Sequence, residues 1–361
     1  MNLRIPGPTP CPDYVLEAMT KQMINHRGPE FRDMIFRVTE NLKEVFRTEN
    51  DLLILTGSGT GGMEAAIVNV LSPGEKVLSV SVGVFGDRFA QIAEIHGADV
   101  IRLPFTWGTA ATAHAIDIAL KENQDIKAVL ITHNETSTAV TNDLASISKV
   151  VKGHGKLLIV DAISSLSSLP FYTDDWGCDV VISGSQKGYM VPPGLAFVSV
   201  SQEAWAAFNK ATMPRFYWDF GRAKTYYERG QNPWTPAVSI IYGLDVALEA
   251  MLEQGMDSIY QHHARMGSVA REGVKQLGLQ LFAEEGCASN TVTAITMPEG
   301  IDGRDLSREV QNDHEVVLAG GQASLEGKIV RIGHLGYVSE KEVLESVDAI
   351  GKVLSKMGAK I

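Results

Sequence analysis

Cysteine is scarce in this 361-residue sequence, which contains only three: Cys11, Cys178 and Cys287. Their number is odd, they lie far apart, and none belongs to a C-x-x-C pair. This pattern provides neither a disulfide framework nor a zinc site, and it is typical of proteins from a reducing compartment. The histidines likewise show no metal-ligand spacing, so the sequence predicts no bound metal.

Positive net charge and long apolar segments are also missing. The formal net charge is −11 at pH 7, which argues against nucleic acids and anionic membrane surfaces as partners. No apolar stretch reaches the length of a bilayer span, and the first residues, MNLRIPGPTPCPDY, do not resemble a secretory signal. We therefore expect a cytoplasmic protein without a membrane segment. The length and a hydrophobic content of 45% favour two domains with a large core.

Short apolar runs, separated by amphipathic stretches, dominate the first half of the sequence. Seven such runs lie at residues 52–55, 76–80, 98–103, 127–132, 156–160, 179–183 and 195–200. Runs that are apolar on both faces and joined by helices are typical of a mostly parallel sheet covered on both sides. The sequence therefore predicts an α/β fold whose large domain contains a mostly parallel seven-stranded sheet covered by helices.

Beyond residue 200 the pattern changes. Residues 201–233 are irregular and aromatic, and we expect a long loop region there. A helix is predicted over 235–255, with Thr235 as its N-cap and a proline at its first position.

The rest of the chain predicts a smaller α+β unit. A second helix is followed by strands at 279–284, 291–297 and 328–333, by a helix at 303–312, and by a last helix that begins at Ser339. Ser339 and Glu342 have the spacing of a capping box. We therefore divide the chain into an N-terminal arm (1–15), a large cofactor-binding domain (16–254) and a small C-terminal domain (255–361).

Polar and charged residues follow several predicted strands at the point where each strand ends. In open α/β sheets, ligands bind beyond this edge. The residues that follow are the glycine-rich turn 56–60, Phe85, the segment HNETST at 133–138, Asp161 and Lys187. One edge of the sheet is thus predicted to collect a phosphate loop, an aromatic ring, hydroxyls, a carboxylate and an amine.

A dinucleotide would account for only the first of these features. Gly57, Gly59 and Gly62 match the pattern G-x-G-x-x-G, which on its own is weak evidence. A dinucleotide site also needs an acidic residue at the end of the next strand, and no acidic residue occurs there before Asp87.

Pyridoxal phosphate accounts for the whole set. This cofactor requires a lysine for a Schiff base, a carboxylate for the pyridine nitrogen and a binding site for its phosphate. Lys187 and Asp161 follow strands that should be neighbours, the turn at 57–60 offers backbone N–H groups to a phosphate, and Phe85 offers a ring face for stacking.

Six motifs occur in the order and spacing of a known family: GSGTGGMEA, THNETSTAV, VDAISS, SGSQKG, TPAVS and VRIGHLG. They resemble the class V aminotransferases, in particular the alanine–glyoxylate and serine–glyoxylate (serine–pyruvate) group. The resemblance implies a fold-type I transferase with pyridoxal 5'-phosphate as cofactor, working as a homodimer with shared active sites. The implied reaction moves an amino group from a small amino acid (alanine, serine or aspartate) to a 2-oxo acid such as glyoxylate or pyruvate.

The resemblance also implies roles for individual residues. Lys187 would form the Schiff base, and Asp161 would keep the pyridine nitrogen protonated. Arg331 would bind the substrate α-carboxylate through two parallel donors, and Thr235 would reach the phosphate held by the partner subunit. The other implied cofactor contacts are Ser58, Gly59, Thr60, Phe85, Thr136 and Gln186.

Two residue assignments stay open at this point. His133 either contacts the cofactor or is a buried structural histidine. Asn232 occupies a position where some related enzymes place a tyrosine near the phosphate, so its contact with the cofactor is undecided.

Two other functions also stay open. A desulfurase, or a lyase of the same class, is one alternative; a desulfurase would need a reactive cysteine on a loop near the small domain. Residues 316–328 contain none, and Cys287 lies in another segment. A non-catalytic accessory protein is the other alternative, but it would be expected to have lost the lysine or the aspartate.

Overall fold

The computed structural model describes residues 1–359 of the chain. Its strands are β1 (Asn2–Arg4), β2 (Asp51–Thr56), β3 (Lys76–Ser81), β4 (Asp99–Pro104), β5 (Ala128–Thr132), β6 (Asn134–Glu135), β7 (Val140–Thr141), β8 (Leu157–Asp161), β9 (Val180–Gly184), β10 (Leu195–Val200), β11 (Val292–Thr296), β12 (Val316–Gly320) and β13 (Ile329–Gly333). Its α-helices are α1 (Asp13–Met19), α2 (Pro29–Phe46), α3 (Gly59–Val70), α4 (Val84–Ile95), α5 (Ala113–Glu122), α6 (Leu144–Gly153), α7 (Gln202–Phe208), α8 (Phe220–Tyr227), α9 (Val238–Gln254), α10 (Met256–Gln276), α11 (Gly303–His314) and α12 (Glu340–Lys356).

The large sheet has seven strands in the order β2-β10-β9-β8-β5-β3-β4. Neighbouring strands are parallel except at β10, which runs antiparallel to both β2 and β9. Each of the seven predicted apolar runs forms one of these strands, so the predicted mostly parallel sheet is confirmed. Strands β5, β9 and β10 are buried along their whole length, which explains why their sequences are apolar on both faces.

Helices cover both faces of this sheet. Leu52 and Ile54 of β2 belong to the core on one face, whereas Leu53 and Leu55 belong to the core on the other, because successive side chains of a strand point to opposite sides. Helices α2, α5, α6 and α9 fill the first core, and α3, α4, α7 and α8 fill the second. A ligand can therefore approach the sheet at its strand ends rather than on its faces.

A second sheet has the order β1-β12-β13-β11, and α10, α11 and α12 contribute to its core. Strand β1 pairs in parallel with β12, with Asn2 opposite Val316. The N-terminal residues, predicted as an arm, thus begin as an edge strand of a sheet whose other strands come from the C-terminal part of the chain. Neither β1 nor β12 was predicted, and the division of the chain at residues 15 and 254 stays a prediction.

Two predicted segments are wrong. The strand expected at 279–284 does not form, because only Leu281 pairs, in an isolated bridge to Ile295, before the chain turns into the 3-10 helix Glu285–Cys287. The loop region expected at 201–233 contains α7 and α8. Their side-chain caps, Ser201 and Asp219, accept N–H groups of the first helical turn.

Two predicted helix starts have different outcomes. Thr235 is not the N-cap of α9, which begins at Val238, because the first α-helical hydrogen bond runs from the Ile241 N–H to the Ala237 carbonyl. The capping box of Ser339 and Glu342 is confirmed, with both reciprocal hydrogen bonds present. None of the helices in residues 1–359 is both long and apolar enough to cross a membrane.

Candidate active site

A cavity of about 190 Å³ lies at the carboxyl edge of the large sheet. Eight of the ten predicted site residues line it: Ser58, Gly59, Thr60, Phe85, Thr136, Asp161, Gln186 and Lys187. Arg331 and Thr235 do not line it. Met63, Arg88, Asn134, Ile163 and Ser164 complete the lining and were not predicted.

The glycine-rich turn forms one end of the cavity. Strand β2 ends at Thr56, and α3 begins at Gly59 after Ser58, whose extended backbone (φ −82°, ψ 166°) makes it the N-cap. The Ser58 side chain makes no capping hydrogen bond, and Gly59 and Thr60 of the first helical turn line the cavity. Uncapped N–H groups at a helix N-terminus favour an anion. A Cβ at Gly59 would lie 2.5 Å from Ile163 Cδ1, which explains the glycine there.

Asp161 is the last residue of β8 and is 3% exposed. Its Oδ1 accepts the Ile163 N–H at 3.0 Å, and its Oδ2 accepts the Thr132 hydroxyl at 3.4 Å. Burial raises the pKa of Asp161 to about 7, and the charge of Glu135 adds to the increase. A cation placed beside this carboxylate would therefore be strongly favoured, because it would restore the ionised form.

Lys187 lies in the turn after β9, the strand that neighbours β8. Its Nζ donates to the Pro6 carbonyl at 2.7 Å. Burial lowers the pKa of Lys187 to about 8; Asp161 opposes this change, whereas the positive charges of Arg331 and Arg88 add to it. The lowered pKa increases the share of neutral amine at a given pH, and the neutral amine is the form that reacts with carbonyl groups.

Gln186 precedes the lysine and leaves one polar atom unsatisfied. Its Oε1 is buried and has no hydrogen-bond partner within residues 1–359. Other buried side-chain polar atoms of residues 1–359 also lack a partner, but none of them belongs to a residue that lines the cavity. Gln186 lines the cavity, so this orphaned oxygen is an observation that favours a ligand with a polar group.

The short hairpin of β6 and β7 contributes a residue that the sequence analysis missed. The Glu135 carboxylate is fully buried and accepts the N–H groups of Phe85 and Gly86 at 3.1 and 3.0 Å, together with the Ser137 hydroxyl at 2.5 Å. It thereby caps the N-terminus of α4 and fixes the position of Phe85. The signal was present in the sequence, since α4 follows a glycine and has no capping side chain of its own.

Arg331 lies in β13 and is 5% exposed. Its Nε and Nη2 donate to the Gly320 carbonyl at 3.0 and 2.8 Å, and its Nη1 donates to the Thr136 carbonyl at 2.9 Å. Burial lowers the pKa of Arg331 to about 10, although the charge of Glu135 opposes the change. The Arg331 guanidinium therefore does not line the cavity but is hydrogen-bonded to Thr136, which does.

Arg88 also escaped the sequence analysis. Its guanidinium carbon lies 4.7 Å from the centre of the Phe85 ring, and its Nη1 donates to the Thr60 hydroxyl at 3.4 Å. One turn of α4 thus supplies both the aromatic ring and a positive charge beside the glycine-rich turn. The i, i+3 spacing of Phe85 and Arg88 on one helix face was the available signal.

Three other candidates lie apart from the cavity lining. His133 packs edge-on against Phe171 and Trp176, at ring-centre distances of 5.3 and 5.8 Å, and burial lowers its pKa to about 4. Asn232 donates to the Ile54 carbonyl at 3.1 Å. Thr235 is exposed on the surface of the chain. Within residues 1–359, no cluster of three or more histidine, cysteine or acidic residues could hold a metal ion.

Several known proteins are similar to this chain over nearly its whole length. The family model described as aminotransferase class-V matches residues 2–345. A Synechococcus protein named soluble hydrogenase, small subunit, is 43% identical over 359 residues, which are 99% of this chain and 93% of that protein. The serine–glyoxylate aminotransferase of Methylorubrum extorquens is 37% identical, over 100% of this chain and 92% of that protein. The crystal structure of ureidoglycine–glyoxylate aminotransferase from Bacillus subtilis superimposes with a TM-score of 0.96 at 29% identity, covering 100% of this chain and 94% of that chain.

The raised pKa of Asp161 predicts a pH-dependent effect of Asp161→Asn on stability. In the unfolded chain this carboxyl ionises near pH 4, but in the fold it ionises near pH 7, so the free energy of unfolding of the wild type falls as the pH rises between these values. In protein freed of small ligands, we expect Asp161→Asn to be more stable than the wild type at pH 8, by roughly 2–4 kcal/mol. At pH 4 the two proteins should be similarly stable.

Urea unfolding at both pH values measures this difference. Asp175→Asn, at an exposed position, is the matched control and should show no such gain. Equal stability of Asp161→Asn and wild type at pH 8 would show that burial does not disfavour the Asp161 carboxylate.

Proposed function

The chain belongs to the aminotransferase class-V family, and we propose that it is a pyridoxal-phosphate-dependent aminotransferase. Its proposed reaction transfers the amino group of a small amino acid to a 2-oxo acid such as glyoxylate or pyruvate. The observation that carries the proposal is one cavity that combines Lys187, Asp161 and the helix N-terminus at Gly59. Each of these groups suits a different part of the cofactor.

The residues present fit the cofactor on the chemistry of their donors and acceptors. Ser58, Gly59 and Thr60 would hold its phosphate at the N-terminus of α3, where the helix dipole favours a dianion. Phe85 would contact the ring face, and the orphaned Gln186 Oε1 would gain a polar partner. When bound, pyridoxal phosphate supplies an electron-withdrawing ring and a carbonyl that carries the amino group from one substrate to the other.

Asp161 would hold a proton at the pyridine nitrogen. A buried carboxylate with a pKa near 7 gains most from a cationic partner, so the carboxylate and the protonated nitrogen would stabilise one another. Glu135, although nearby, already accepts four hydrogen bonds from Phe85, Gly86 and Ser137. This difference supports Asp161 rather than Glu135 as the partner of the ring.

Lys187 would bond the cofactor through its neutral amine and then carry the proton removed from the substrate Cα. A pKa near 8 suits both tasks, because a general base works best when its pKa lies near the working pH.

Arg331 would bind the substrate α-carboxylate. Three of the five guanidinium N–H groups already donate to the Gly320 and Thr136 carbonyls. The two remaining N–H groups would donate to the substrate carboxylate.

The name of the Methylorubrum relative supports serine as donor and glyoxylate as acceptor. Alanine and aspartate stay possible donors, as the sequence analysis expected.

We further propose a homodimer in which Thr235 reaches the phosphate site of the partner subunit; the exposed position of Thr235 supports this arrangement. A cytoplasmic location is supported by three free cysteines, Cys11, Cys178 and Cys287.

The alternatives find less support. Cys287, in the 3-10 helix Glu285–Cys287, donates weakly to the Gly108 and Glu284 carbonyls and does not line the cavity, which disfavours a desulfurase. The name of the Synechococcus relative, soluble hydrogenase, small subunit, would fit the alternative of an accessory subunit. A purely accessory role for this chain is disfavoured because Lys187 and Asp161 are both retained and lie in one cavity.

Covalent attachment of the cofactor tests the proposed function directly. After incubation with pyridoxal phosphate and reduction with borohydride, mass spectrometry should find the cofactor on the peptide that contains Lys187. Lys187→Ala should lose this adduct, and its transamination rate should fall by roughly three decades or more. Lys210→Ala, at an exposed lysine, is the control; an adduct that persists in Lys187→Ala would contradict the assignment.

Substitution of Arg331 tests the substrate class. Because lysine cannot reproduce two parallel donors to a carboxylate and charge-assisted hydrogen bonds contribute about 1.5–3 kcal/mol each, Arg331→Lys should lower kcat/KM for serine or alanine by roughly one to three decades. A simple primary amine should lose little. Arg304→Lys, on the surface, serves as control, and an equal loss for both substrates would mean that Arg331 acts only through its contacts with Gly320 and Thr136.

Subunit mixing tests the shared site. Lys187→Ala and Thr235→Glu should each be inactive, the second because its charge repels a phosphate. After subunit exchange, the mixture should recover about a quarter of wild-type activity, since half of the dimers are hybrid and each hybrid holds one native site. Lys187→Ala exchanged with itself is the control. No recovery after exchange, verified by native mass spectrometry, would refute a site shared through Thr235.

A further inference from the structure

The chain start passes directly over Lys187. Residues 5–9, here called the N-terminal strap, follow β1, which is fixed in the second sheet by its pairing with β12. The Ile5 carbonyl packs so closely on Gly333 that a Cβ there would lie 2.4 Å from it. Gly333 ends β13, the strand that carries Arg331. The strap is thus in contact with the sheet of Arg331 before it reaches the lysine.

Two residues of the strap contact the Lys187 side chain. The Pro6 carbonyl accepts the Nζ hydrogen bond at 2.7 Å. Gly7 follows with φ +124°, and a Cβ at this position would lie 2.5 Å from Nζ and 2.7 Å from Cδ. The positive φ therefore favours glycine, and a side chain at this position would have to displace the Lys187 side chain.

Thr9 fixes the strap to the backbone that carries the lysine. Its N–H donates to the Gln186 carbonyl at 3.1 Å, and its hydroxyl donates to the Lys187 carbonyl at 2.9 Å. On the other side of Thr9, a Cβ at Gly336 would approach the Thr9 hydroxyl and the Lys187 carbonyl to 3.0 and 3.1 Å. The strap is therefore held against Lys187 by its own hydrogen bonds as well as by close packing.

We propose that the N-terminal strap is a holding site for the Lys187 amino group, in which the Pro6 carbonyl binds the amine whenever it is not bonded to a cofactor or substrate. Gly7 keeps this site open, and Thr9 is a positioning residue that sets the distance between strap and lysine. The proposal deepens the proposed function and rests on it, because a lysine that alternates between bonded and free states needs a defined place in the free state.

The chemistry of the contact fits this role. An amine that accepts a proton in a buried site lacks water, and a carbonyl oxygen at 2.7 Å replaces one lost hydrogen bond. The charged groups facing the amine are Asp161, Arg331 and Arg88, two of which repel an ammonium group. The Pro6 carbonyl is a neutral acceptor, so it can hold the ammonium form and release the neutral amine without a strong ion pair to break.

Chemical labelling of Lys187 tests the holding site. Full-length protein freed of cofactor is pulsed with acetic anhydride over a range of pH, and mass spectrometry gives the midpoint at which Lys187 becomes reactive. Because alanine at position 7 would displace Nζ from the carbonyl that stabilises its charged form, Gly7→Ala should move this midpoint down by about one pH unit or more. Gly153→Ala is the matched control, since a Cβ there meets no neighbouring atom.

A second pair of variants keeps the test decisive if Gly7→Ala fails to fold. Thr9→Val removes the hydroxyl donor to Lys187 and should produce a smaller shift in the same direction, whereas Thr9→Ser should restore the wild-type midpoint. In the cofactor-loaded enzyme, Thr9→Val should lower kcat with little change in KM. An unchanged or raised labelling midpoint in Thr9→Val, and in Gly7→Ala if that variant folds, would overturn the proposal.

The outcome is separable from that of the proposed function. If the midpoints shift as expected but borohydride fixes no cofactor on Lys187, then the holding site stands and the cofactor assignment fails. If the adduct forms but the labelling midpoints do not move, then the cofactor assignment stands and the holding site fails.

Discussion

The burial of one carboxyl and one amine in the same cavity is the constraint on which the site depends. Burial raises the pKa of Asp161 and lowers that of Lys187, so both groups are pushed toward neutrality by the same cause. Neither is relieved by a direct hydrogen bond to the other. The carboxylate is thus available to a cation and the amine to a carbonyl, which are the two chemistries that pyridoxal phosphate presents.

The surrounding fold holds the Asp161 carboxyl and the Lys187 amine in this buried cavity. Parallel neighbours β8 and β9 bring Asp161 and Lys187 to the same edge, and the covered faces of the sheet exclude water from behind. The Glu135 carboxylate accepts N–H groups from the first turn of α4 and thereby positions Phe85. Arg331 ties the second sheet to the same hairpin through the Thr136 carbonyl.

Local patterns in the sequence predicted most of this arrangement, and the failures share a cause. The seven strands and the residues at their ends could be read from apolar runs and strand-end positions, because both are local. Strand β1 could not, since three residues carry no period and its partner β12 is remote in sequence. Glu135 and Arg88 were missed because the local signals, an α4 without its own capping side chain and the i, i+3 spacing of Phe85 and Arg88, do not show which loop faces which helix. Thr235 fails as an N-cap because Ala237 is the residue that precedes the first turn of α9, after a tight turn in which the Val238 N–H donates to the Pro236 carbonyl.

The pairing of β1 with β12 also has a consequence for biosynthesis. Asn2 lies opposite Val316, so β1 stays unpaired during synthesis until the ribosome has also made β12. Contacts of such sequence separation form slowly, and until then the backbone groups of β1 lack their sheet partners. The strap that follows β1 and contacts Lys187 therefore gains its connection to the second sheet only after β12 has been synthesised.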